Sequence, residues 1–265
     1  TGKADYENNK KNIYNESEDD NMNNLKHLFD ADRQRYLNHF NNVLKDNKFE
    51  SNKLNILDVG CGYGHWCHTI NENYNFDVTG IDLNLNKILY GIKKLKLDFN
   101  YKINKIENEE FILENKEKFD IITSWHVLEH VYNPILFVSN IMRLLKNDGI
   151  FLFEVPNEDD ELLSLVPEYN KLVHFQDHVN YFNIETLNLL FKKCNIKKEN
   201  ILIKGVQRYG FYNYIDWLRY KTKKKVESDD YININSKPRT KIEDIWLKYR
   251  EDNLNCDTLF GIIKK

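Results

Sequence analysis

Short apolar segments rich in β-branched residues alternate with helical segments along most of the chain, and this alternation strongly constrains the fold. Strands are predicted at 54–59, 76–81, 99–104, 119–124, 149–155, 201–206 and 258–263. Helices are predicted at 85–96, from Pro134 through Leu145, and after Asn183. Repeated strand–helix units need a mostly parallel sheet that helices cover on both faces. The sequence therefore predicts an α/β fold with a doubly wound sheet of seven strands.

The 265 residues are predicted to divide into four segments. They are an N-terminal arm and helix (1–50), a core (51–206), an aromatic-rich helical insert (207–256) and the final strand of the core sheet (257–265). Apolar residues at helical spacing predict the N-terminal helix from Met22 to about Lys45, after a loose polar arm at 1–21. The basic run at 221–230 is predicted to be a solvated loop.

Charge and hydropathy exclude several functional classes. The chain has 38 Lys and Arg against 41 Asp and Glu, so it lacks the basic footprint of a nucleic-acid-binding protein. Its longest apolar runs are far below the ~20 residues of a membrane-spanning helix, and its first residues lack the apolar core of a signal peptide. We expect a cytoplasmic protein with a small-molecule partner, no membrane insertion, and surfaces compatible with a homodimer.

Three glycines follow the first predicted strand directly, in the segment DVGCGYG at 58–64. Glycines let the backbone turn sharply and approach a ligand closely. Asp82 ends the second strand, 22 residues after Gly60, where a carboxylate can accept both hydroxyls of a ribose. A nicotinamide dinucleotide is disfavoured because the third glycine comes one residue early for GxGxxG. Asp58 would also repel a pyrophosphate, whereas it suits a ligand with ammonium and sulfonium charges.

Four segments in this order, LDVGCGYGHW, the strand tip at Asp82, FDIITSWHVLEHV and LLKNDGIFLFEVPN, resemble class I S-adenosylmethionine-dependent methyltransferases. The resemblance covers about residues 50–200 and is to the small-molecule types 11 and 12. The later segments QRYGFYNYIDWL, KYREDNL and DTLFGIIKK resemble methyltransferases encoded in surface-polysaccharide gene clusters. The resemblance implies a Rossmann-like, mostly parallel sheet with an antiparallel last strand, and S-adenosyl-L-methionine as the cofactor.

The resemblance also implies which residues bind the cofactor. They are Asp58, Gly60, Cys61, Gly62, Tyr63, Asp82, Leu83, Ile106, Ser124, Trp125 and His126. Asp82 would bind the ribose and Leu83 would pack on the adenine. Lys105 stands where the family often has an acid that reads the adenine amine, so backbone groups near Ile106, or Glu107, are expected to take this contact.

Methyl transfer to a hydroxyl group needs alignment of the reacting atoms and benefits from a general base. Histidine, with a reference pKa of about 6.5, suits this role, and His178 in HFQDHVNYF is the predicted base. His130 and Glu154 are the alternatives, while the histidines of this loop could instead cap the helix after Asn183. The predicted substrate-binding residues are His174, Asp177, Tyr181, Gln207, Arg208, Tyr209 and Asn213.

No metal is expected, because the sulfonium leaving group is neutralised by its own departure. Cys61 and Cys67 have only His65 and His68 nearby, which is a poor arrangement for tetrahedral zinc. The predicted function is O-methylation of a sugar, a sugar nucleotide or a phosphorylated precursor of a surface polysaccharide. The alternatives are sugar C-methylation, although the Cys-rich zinc-binding domain often found in that group is missing, and a non-catalytic cofactor-binding subunit.

Overall fold

The computed structural model describes residues 18–49, 53–174, 177–221 and 240–265, without the side chains of 18–31 and 172. Most of the predicted arm at 1–21 and of the predicted loop at 221–230 lies outside the described residues. No helix of the described segments has both the length and the apolar character that crossing a bilayer requires.

Helices and strands alternate along the chain much as predicted. The strands are β1 Asn55–Val59, β2 Asp77–Asp82, β3 Asn100–Ile103, β4 Phe119–Trp125, β5 Leu145–Pro156, β6 Ile201–Val206 and β7 Thr258–Lys264. The helices before β5 are α1 Glu18–Asp46, α2 His65–Asn73, α3 Leu85–Lys93, α4 Glu109–Glu114 and α5 Pro134–Leu144. Those after β5 are α6 Glu161–Leu165, α7 Asn170–Val173, α8 Ile184–Lys193, α9 Phe211–Tyr220 and α10 Lys241–Asp252. Short 3₁₀ turns lie at Leu128–His130 and Lys198–Asn200.

The seven strands form one sheet in the order β3-β2-β1-β4-β5-β7-β6. Strands β1 to β5 are parallel, and β7 lies antiparallel between β5 and β6. The predicted doubly wound sheet with an antiparallel last strand is therefore confirmed. Some boundaries differ from the predicted ones. Strand β5 begins at Leu145 rather than 149, because Leu145 pairs with Phe119 before a register shift, and the helix predicted at 85–96 ends at Lys93.

Apolar side chains cover both faces of the sheet, as parallel strands require. On one face, β1 packs through Leu57 and Val59 against a cluster that includes residues of α4, α5 and α8. On the other face, Ile56 packs against a cluster that includes Phe40 and Val43 of α1. Since Phe40 and Val43 are buried, burial of apolar area holds α1 against the sheet and brings its neighbouring polar residues to the carboxyl ends of the strands.

A tight glycine turn joins β1 to α2. The backbone N–H groups of Gly60 and Cys61 both donate to the carbonyl oxygen of Ile81 in β2. Gly64 precedes α2 with φ of 87°, and a Cβ atom there would lie 1.9 Å from the ring of Phe99. Only glycine fits both the left-handed backbone and this close contact. The turn therefore stays compact beside the tip of β2.

Candidate functional site

The glycine turn and Asp82 are joined directly by hydrogen bonds. Asp82 accepts the N–H of Gly62 at 2.9 Å with one carboxylate oxygen and the N–H of Asn84 at 2.7 Å with the other. Leu83, beside it, is 65% exposed at the tip of β2. The sequence-predicted ribose and adenine positions thus lie together at one edge of the sheet, next to the turn.

The residues at this edge fit an S-adenosyl-L-methionine molecule. A Cβ atom at Gly62, where φ is 55°, would have no other atom within 4 Å, so the turn faces open space at this point. Ser124 at the tip of β4 is 1% exposed, and its hydroxyl oxygen has no hydrogen-bond partner among the described residues. A polar nucleoside ligand would fill open space of this kind, beside the half-buried carboxylate of Asp82 and an unsatisfied hydroxyl group.

Asp58 lies beneath the turn. Its carboxyl group is 2% exposed, accepts a hydrogen bond from Thr123 at 2.7 Å and contacts the thiol of Cys67 at 3.7 Å. Burial raises the pKa of Asp58 to about 7, because the charged form loses its hydration. The predicted electrostatic role toward a cationic cofactor is thus weakened, since this carboxyl group is largely protonated below neutral pH and supports the turn from behind.

A cavity of about 500 Å³ opens beside the tip of β4. Its aromatic lining consists of Tyr36, Trp125, Tyr169, Tyr209 and Trp217. Its polar lining includes Asp32, His126, Glu129, His130, His178, Arg208, Asn213 and Asp257. Of the predicted acceptor-side residues, His130, His178, Arg208, Tyr209 and Asn213 therefore meet at one cavity.

Glu154 lies behind this cavity, fully buried on β5. Arg35 of α1 donates to both of its oxygens, with its Nη2 at 2.9 Å from Oε2. The imidazoles of His39 and His126 lie 3.2 and 3.4 Å from its two oxygens. Although burial raises the pKa of Glu154, the charge of Arg35 and the hydrogen bonds with His126, His39 and Arg35 hold it well below its usual range. A general base must accept a proton, so this arrangement assigns Glu154 a positioning role rather than the predicted catalytic one.

His126 follows β4 in an unusual left-handed backbone conformation with φ of 54°. Its N–H donates to the carbonyl oxygen of Glu154 at 3.0 Å, and its Nδ1 lies 3.4 Å from Glu129. Its Nε2 lies 3.1 Å from Nη1 of Arg208. Burial and Arg208 lower the pKa of His126, but the two carboxylates outweigh them and raise it above its usual value. The turn thus places the imidazole at the wall of the acceptor cavity, and its position under the sulfonium stays a prediction.

Glu129, His130 and His178 form a histidine–carboxylate cluster, and one ligand atom from each lies within 4.8 Å of the others. His130 shares a 2.7 Å hydrogen bond between its Nδ1 and the carbonyl oxygen of Asp177. Burial lowers the pKa of His178, which therefore carries a neutral imidazole at neutral pH. A neutral imidazole beside a buried carboxylate can accept a proton or bind a cation.

The remaining predicted acceptor residues, His174, Asp177, Tyr181 and Gln207, do not line the cavity. His174 pairs with Glu158 at 2.9 Å. The ring of Tyr181 packs edge-on against the His174 imidazole. Asp177 contributes its carbonyl oxygen to His130. The amide of Gln207 is buried and donates to Asp257 at 2.6 Å, so this side chain holds the backbone before α9.

The remaining cofactor residues differ in their surroundings. Cys61 is buried, Tyr63 packs against Tyr90, and Trp125 stacks on Tyr36 with ring centroids 4.2 Å apart. The side chain of Ile106 belongs to the core, and its carbonyl oxygen accepts a hydrogen bond from Asn140.

Sequence reasoning did not find the contribution of α1 to the cavity. Asp32 and Tyr36 both line it, and Asp32 pairs with Arg208 at 3.4 Å and with Arg35 at 2.7 Å. The local sequence offers only one signal, the charged run DADRQRY at 30–36 within an otherwise apolar-periodic helix. Asp257, at the start of β7, was also missed, and it accepts the backbone N–H groups of Arg208 and Tyr209.

A family model described as a methyltransferase domain matches residues 28–200. The chain belongs to this methyltransferase domain family. It is a class I, S-adenosyl-L-methionine-dependent methyltransferase, as the four sequence segments implied. The fold is similar to that of a SAM-dependent methyltransferase from Archaeoglobus fulgidus, with a TM-score of 0.57 and 17% identity over 89% of this chain and 94% of that one.

Several relatives with curated names carry the designation ubiquinone biosynthesis O-methyltransferase. The protein from Pelagibacter ubique is 31% identical over 140 residues, which are 50% of this chain and 55% of the relative. The protein from Rickettsia bellii (strain OSU 85-389) is 28% identical over 210 residues, which are 75% of this chain and 80% of the relative. The chain spans only 55%, 36% and 58% of the length of three of these relatives, of which the first is the Pelagibacter ubique protein.

These relatives correct the predicted acceptor. The expectation of a sugar, a sugar nucleotide or a polysaccharide precursor is wrong, because the relatives are O-methyltransferases of ubiquinone biosynthesis. The misleading evidence was the likeness of the segments after residue 207 to enzymes of polysaccharide clusters. The homodimer, the cytoplasmic location and the lack of nucleic-acid binding stay predictions.

Proposed function

We propose that this methyltransferase transfers a methyl group to a hydroxyl group on the ring of a small aromatic acceptor. The observation that carries the proposal is a cavity beside the tip of β4 that combines five aromatic side chains with the histidine–carboxylate cluster. The designation of its relatives as O-methyltransferases of ubiquinone biosynthesis supports a hydroxyl acceptor of this class.

The walls of the cavity suit a planar ring. Tyr36 and Trp125 are stacked with an angle of 13° between their planes, and Tyr169 meets Trp217 edge-on at 5.1 Å between ring centroids. Aromatic faces and edges of this kind bind another ring through offset or edge contacts. Asn213, Arg208 and His126 add hydrogen-bonding groups at the same cavity, which would orient the ring substituents.

The cofactor-side residues would align the methyl group with the acceptor. When bound, S-adenosyl-L-methionine supplies an electrophilic methyl group. Asp82 would hold the ribose, and the turn at Gly60 and Gly62 would hold the methionine part at the tips of β1 and β4. This placement directs the transfer toward the cavity, since Trp125 and His126 lie at both the strand tip and the cavity wall. Alignment of this kind supplies a large part of the rate enhancement.

The histidine–carboxylate cluster would remove the proton of the acceptor hydroxyl group. An oxygen–carbon bond forms while the carbon–sulfur bond breaks, and the hydroxyl proton must leave as the new ether forms. Of the cluster, His178 is the predicted base, and its lowered pKa keeps its imidazole able to accept a proton at neutral pH. Glu129 lies close enough to stabilise the resulting positive charge.

A methyl-transfer assay with mass-spectrometric detection tests the proposal. The full chain is incubated with S-adenosyl-L-methionine and with catechol or 3,4-dihydroxybenzoate, and glucose serves as the non-aromatic comparison. We expect a singly methylated aromatic ether and no methylated sugar. His178→Ala should lower the turnover number by about 10²–10⁴-fold. His174→Ala is the matched control from the same segment, because His174 pairs with Glu158 outside the cavity. Failure of every aromatic hydroxyl acceptor would overturn the proposal.

A further inference from the structure

We propose that Arg208, Asn213 and the first turn of α9 form an anion-binding subsite of the acceptor cavity, and that this subsite binds a carboxylate group on the acceptor ring. The inference rests on the proposed O-methylation and narrows its substrate class from aromatic hydroxyl compounds to hydroxylated aromatic acids. The subsite belongs to the segment that joins β6 to α9, and it would recognise a part of the acceptor that does not react.

Arg208 has more hydrogen-bond donors than partners. A guanidinium group carries five N–H donors. That of Arg208 contacts Nε2 of His126 at 3.1 Å through Nη1 and Oδ1 of Asp32 at 3.4 Å through Nη2, and it makes no other hydrogen bond to a described residue. The side chain lines the cavity and is 22% exposed. Arg208 therefore brings unused N–H donors to the cavity.

Asp32, the carboxylate that pairs with the Arg208 guanidinium group, is shared with a second arginine. Its Oδ1 lies 2.7 Å from Nη1 of Arg35 but 3.4 Å from Nη2 of Arg208. Because both contacts use the same oxygen and Arg35 is closer, Asp32 compensates the charge of Arg208 only in part. A guanidinium group in this state binds a carboxylate well, since its planar arrangement of N–H groups matches the two carboxylate oxygens.

Asn213 is a second polar group with unused hydrogen-bonding capacity. It is 7% exposed and lines the cavity. Among the residues that the structure describes, none forms a hydrogen bond with its side-chain amide. A buried amide without a partner is unusual, because the group loses its hydration and gains nothing in return. An acceptor oxygen bound beside Arg208 would take the hydrogen bond that the Asn213 amide can donate.

The N-terminus of α9 favours negative charge at the same place. The residue before this ten-residue helix is Gly210, so no side chain caps its first N–H groups, and no acidic residue lies in its first turn. An uncapped helix N-terminus carries a partial positive charge that attracts anions. Asn213 and Trp217, one helical turn apart, both line the cavity, so this face of α9 borders it from the first turn onward.

Asp257 holds the segment before α9 in position. Its carboxylate accepts the backbone N–H groups of Arg208 at 3.0 Å and of Tyr209 at 3.2 Å, and the side-chain amide of Gln207 at 2.6 Å. These hydrogen bonds occupy Asp257, and they fix the backbone from which the Arg208 side chain extends. A segment ordered in advance loses little conformational freedom when a ligand binds.

The surroundings of Arg208 suit a carboxylate attached to a ring. The Arg208 guanidinium group lies 5.7 Å from the ring centroid of Tyr209, and Tyr209 and Trp217 line the cavity beside it. A benzoate is planar, so its ring can pack against these aromatic side chains while its carboxylate reaches Arg208. A monoanion fits better than a dianionic phosphate, because Asp32 and Asp257 lie close to Arg208 and would repel the additional charge.

Calorimetric titration with benzoate tests the subsite without turnover. The full chain is saturated with S-adenosylhomocysteine, and we expect one benzoate to bind per chain, at least tenfold more tightly than phenol. Arg208→Gln should weaken benzoate binding roughly 10- to 100-fold, because it removes charged hydrogen bonds, and Asn213→Leu should weaken it about threefold to tenfold. In Arg208→Gln, Asp32 keeps its closer partner Arg35, so we expect this variant to fold.

Arg219→Gln is the matched control, since Arg219 is an exposed arginine of the same helix and does not line the cavity. It should bind benzoate as the wild type does. Unchanged affinity for S-adenosylhomocysteine verifies that each variant is folded. Equal benzoate binding by wild type and Arg208→Gln would overturn the inference, and so would equal binding of benzoate and phenol by the wild type.

The methyl-transfer assay separates this inference from the proposed function. We expect the wild type to have a kcat/KM at least tenfold higher for 3,4-dihydroxybenzoate than for catechol, and Arg208→Gln to bring this ratio close to one. Equal kcat/KM values for the two acceptors in the wild type would overturn the subsite and leave O-methylation standing. Benzoate binding that depends on Arg208, without methylation of any aromatic hydroxyl acceptor, would support the subsite and overturn the proposed function.

Discussion

The cofactor half of the site, the turn at 58–64 with Asp82, differs from the acceptor half, the cavity beside β4, in how its residues come together. In the cofactor half, the turn after β1 contacts the tip of β2, and Gly62 donates a hydrogen bond to Asp82, 20 residues away in the chain. In the acceptor half, Arg35 contacts Glu154 across 119 residues and Arg208 contacts Asp32 across 176. The first half depends on one turn, whereas the second depends on the docking of α1.

The two halves also stabilise buried charge differently. Asp82 is held by backbone N–H groups, which the local chain path supplies. Glu154 is held by side-chain cations from other elements, among them Arg35 of α1. Because ion pairs between distant segments require both segments in place, the acceptor half should be the more sensitive to single charge changes.

The largest effect is expected from Glu154→Gln. This change removes the buried charge that Arg35 and two histidines face, and it should lower the free energy of unfolding by about 3–5 kcal/mol in urea denaturation. Glu72→Gln is the control, since Glu72 also pairs with α1, through Arg33, but both side chains are more than 40% exposed. It should cost about 0–1 kcal/mol. Equal losses in the two variants would contradict the proposed difference between the halves.

A pH-dependent effect is expected beneath the cofactor half. The pKa of Asp58 is about 7 in the folded chain against an unperturbed 3.8, so the folded state binds the proton more tightly. Between pH 4 and 7 the unfolded state ionises first, and the wild type loses stability as the pH rises. Asp58→Asn lacks this loss, which amounts to up to about 4 kcal/mol over the interval.

Urea denaturation of both proteins at pH 4, 5, 6 and 7 measures this difference. The variant should gain stability relative to wild type as the pH rises. Asp77→Asn, at the exposed start of β2, is the control for removing an aspartate. A difference between wild type and Asp58→Asn that stays constant with pH would show that Asp58 titrates normally.

The smallest effect is expected from Asp82→Asn on cofactor binding. The amide keeps the shape of the carboxylate but removes the charge that accepts hydrogen bonds at the ribose position. Loss of charged hydrogen bonds costs about 1.5–3 kcal/mol, so calorimetry should find the affinity for S-adenosylhomocysteine reduced roughly 10- to 150-fold. Asp77→Asn, on the same strand, should bind normally. Undiminished binding by Asp82→Asn would reject its ribose role.

Much of the fold could be read from local patterns. The order of strands and helices, the glycine turn and the acid at the tip of β2 follow from apolar periodicity and from residue types that permit tight turns. The start of β5 at Leu145 was missed because its pairing with Phe119 lies across a register shift. Such a shift depends on the neighbouring strand and leaves no mark in the β5 segment itself.

The sequence by itself determined the doubly wound sheet, the methyltransferase family and the position of the cofactor turn, since each depends on residues close together in the chain. Only the tertiary structure decided that Asp32 and Tyr36 of α1 line the acceptor cavity and that Glu154 forms a buried ion pair with Arg35. It also brought Glu129 together with His130 and His178. The physical reason is that charges separated by over a hundred residues pair only after apolar burial has docked their helices and strands together.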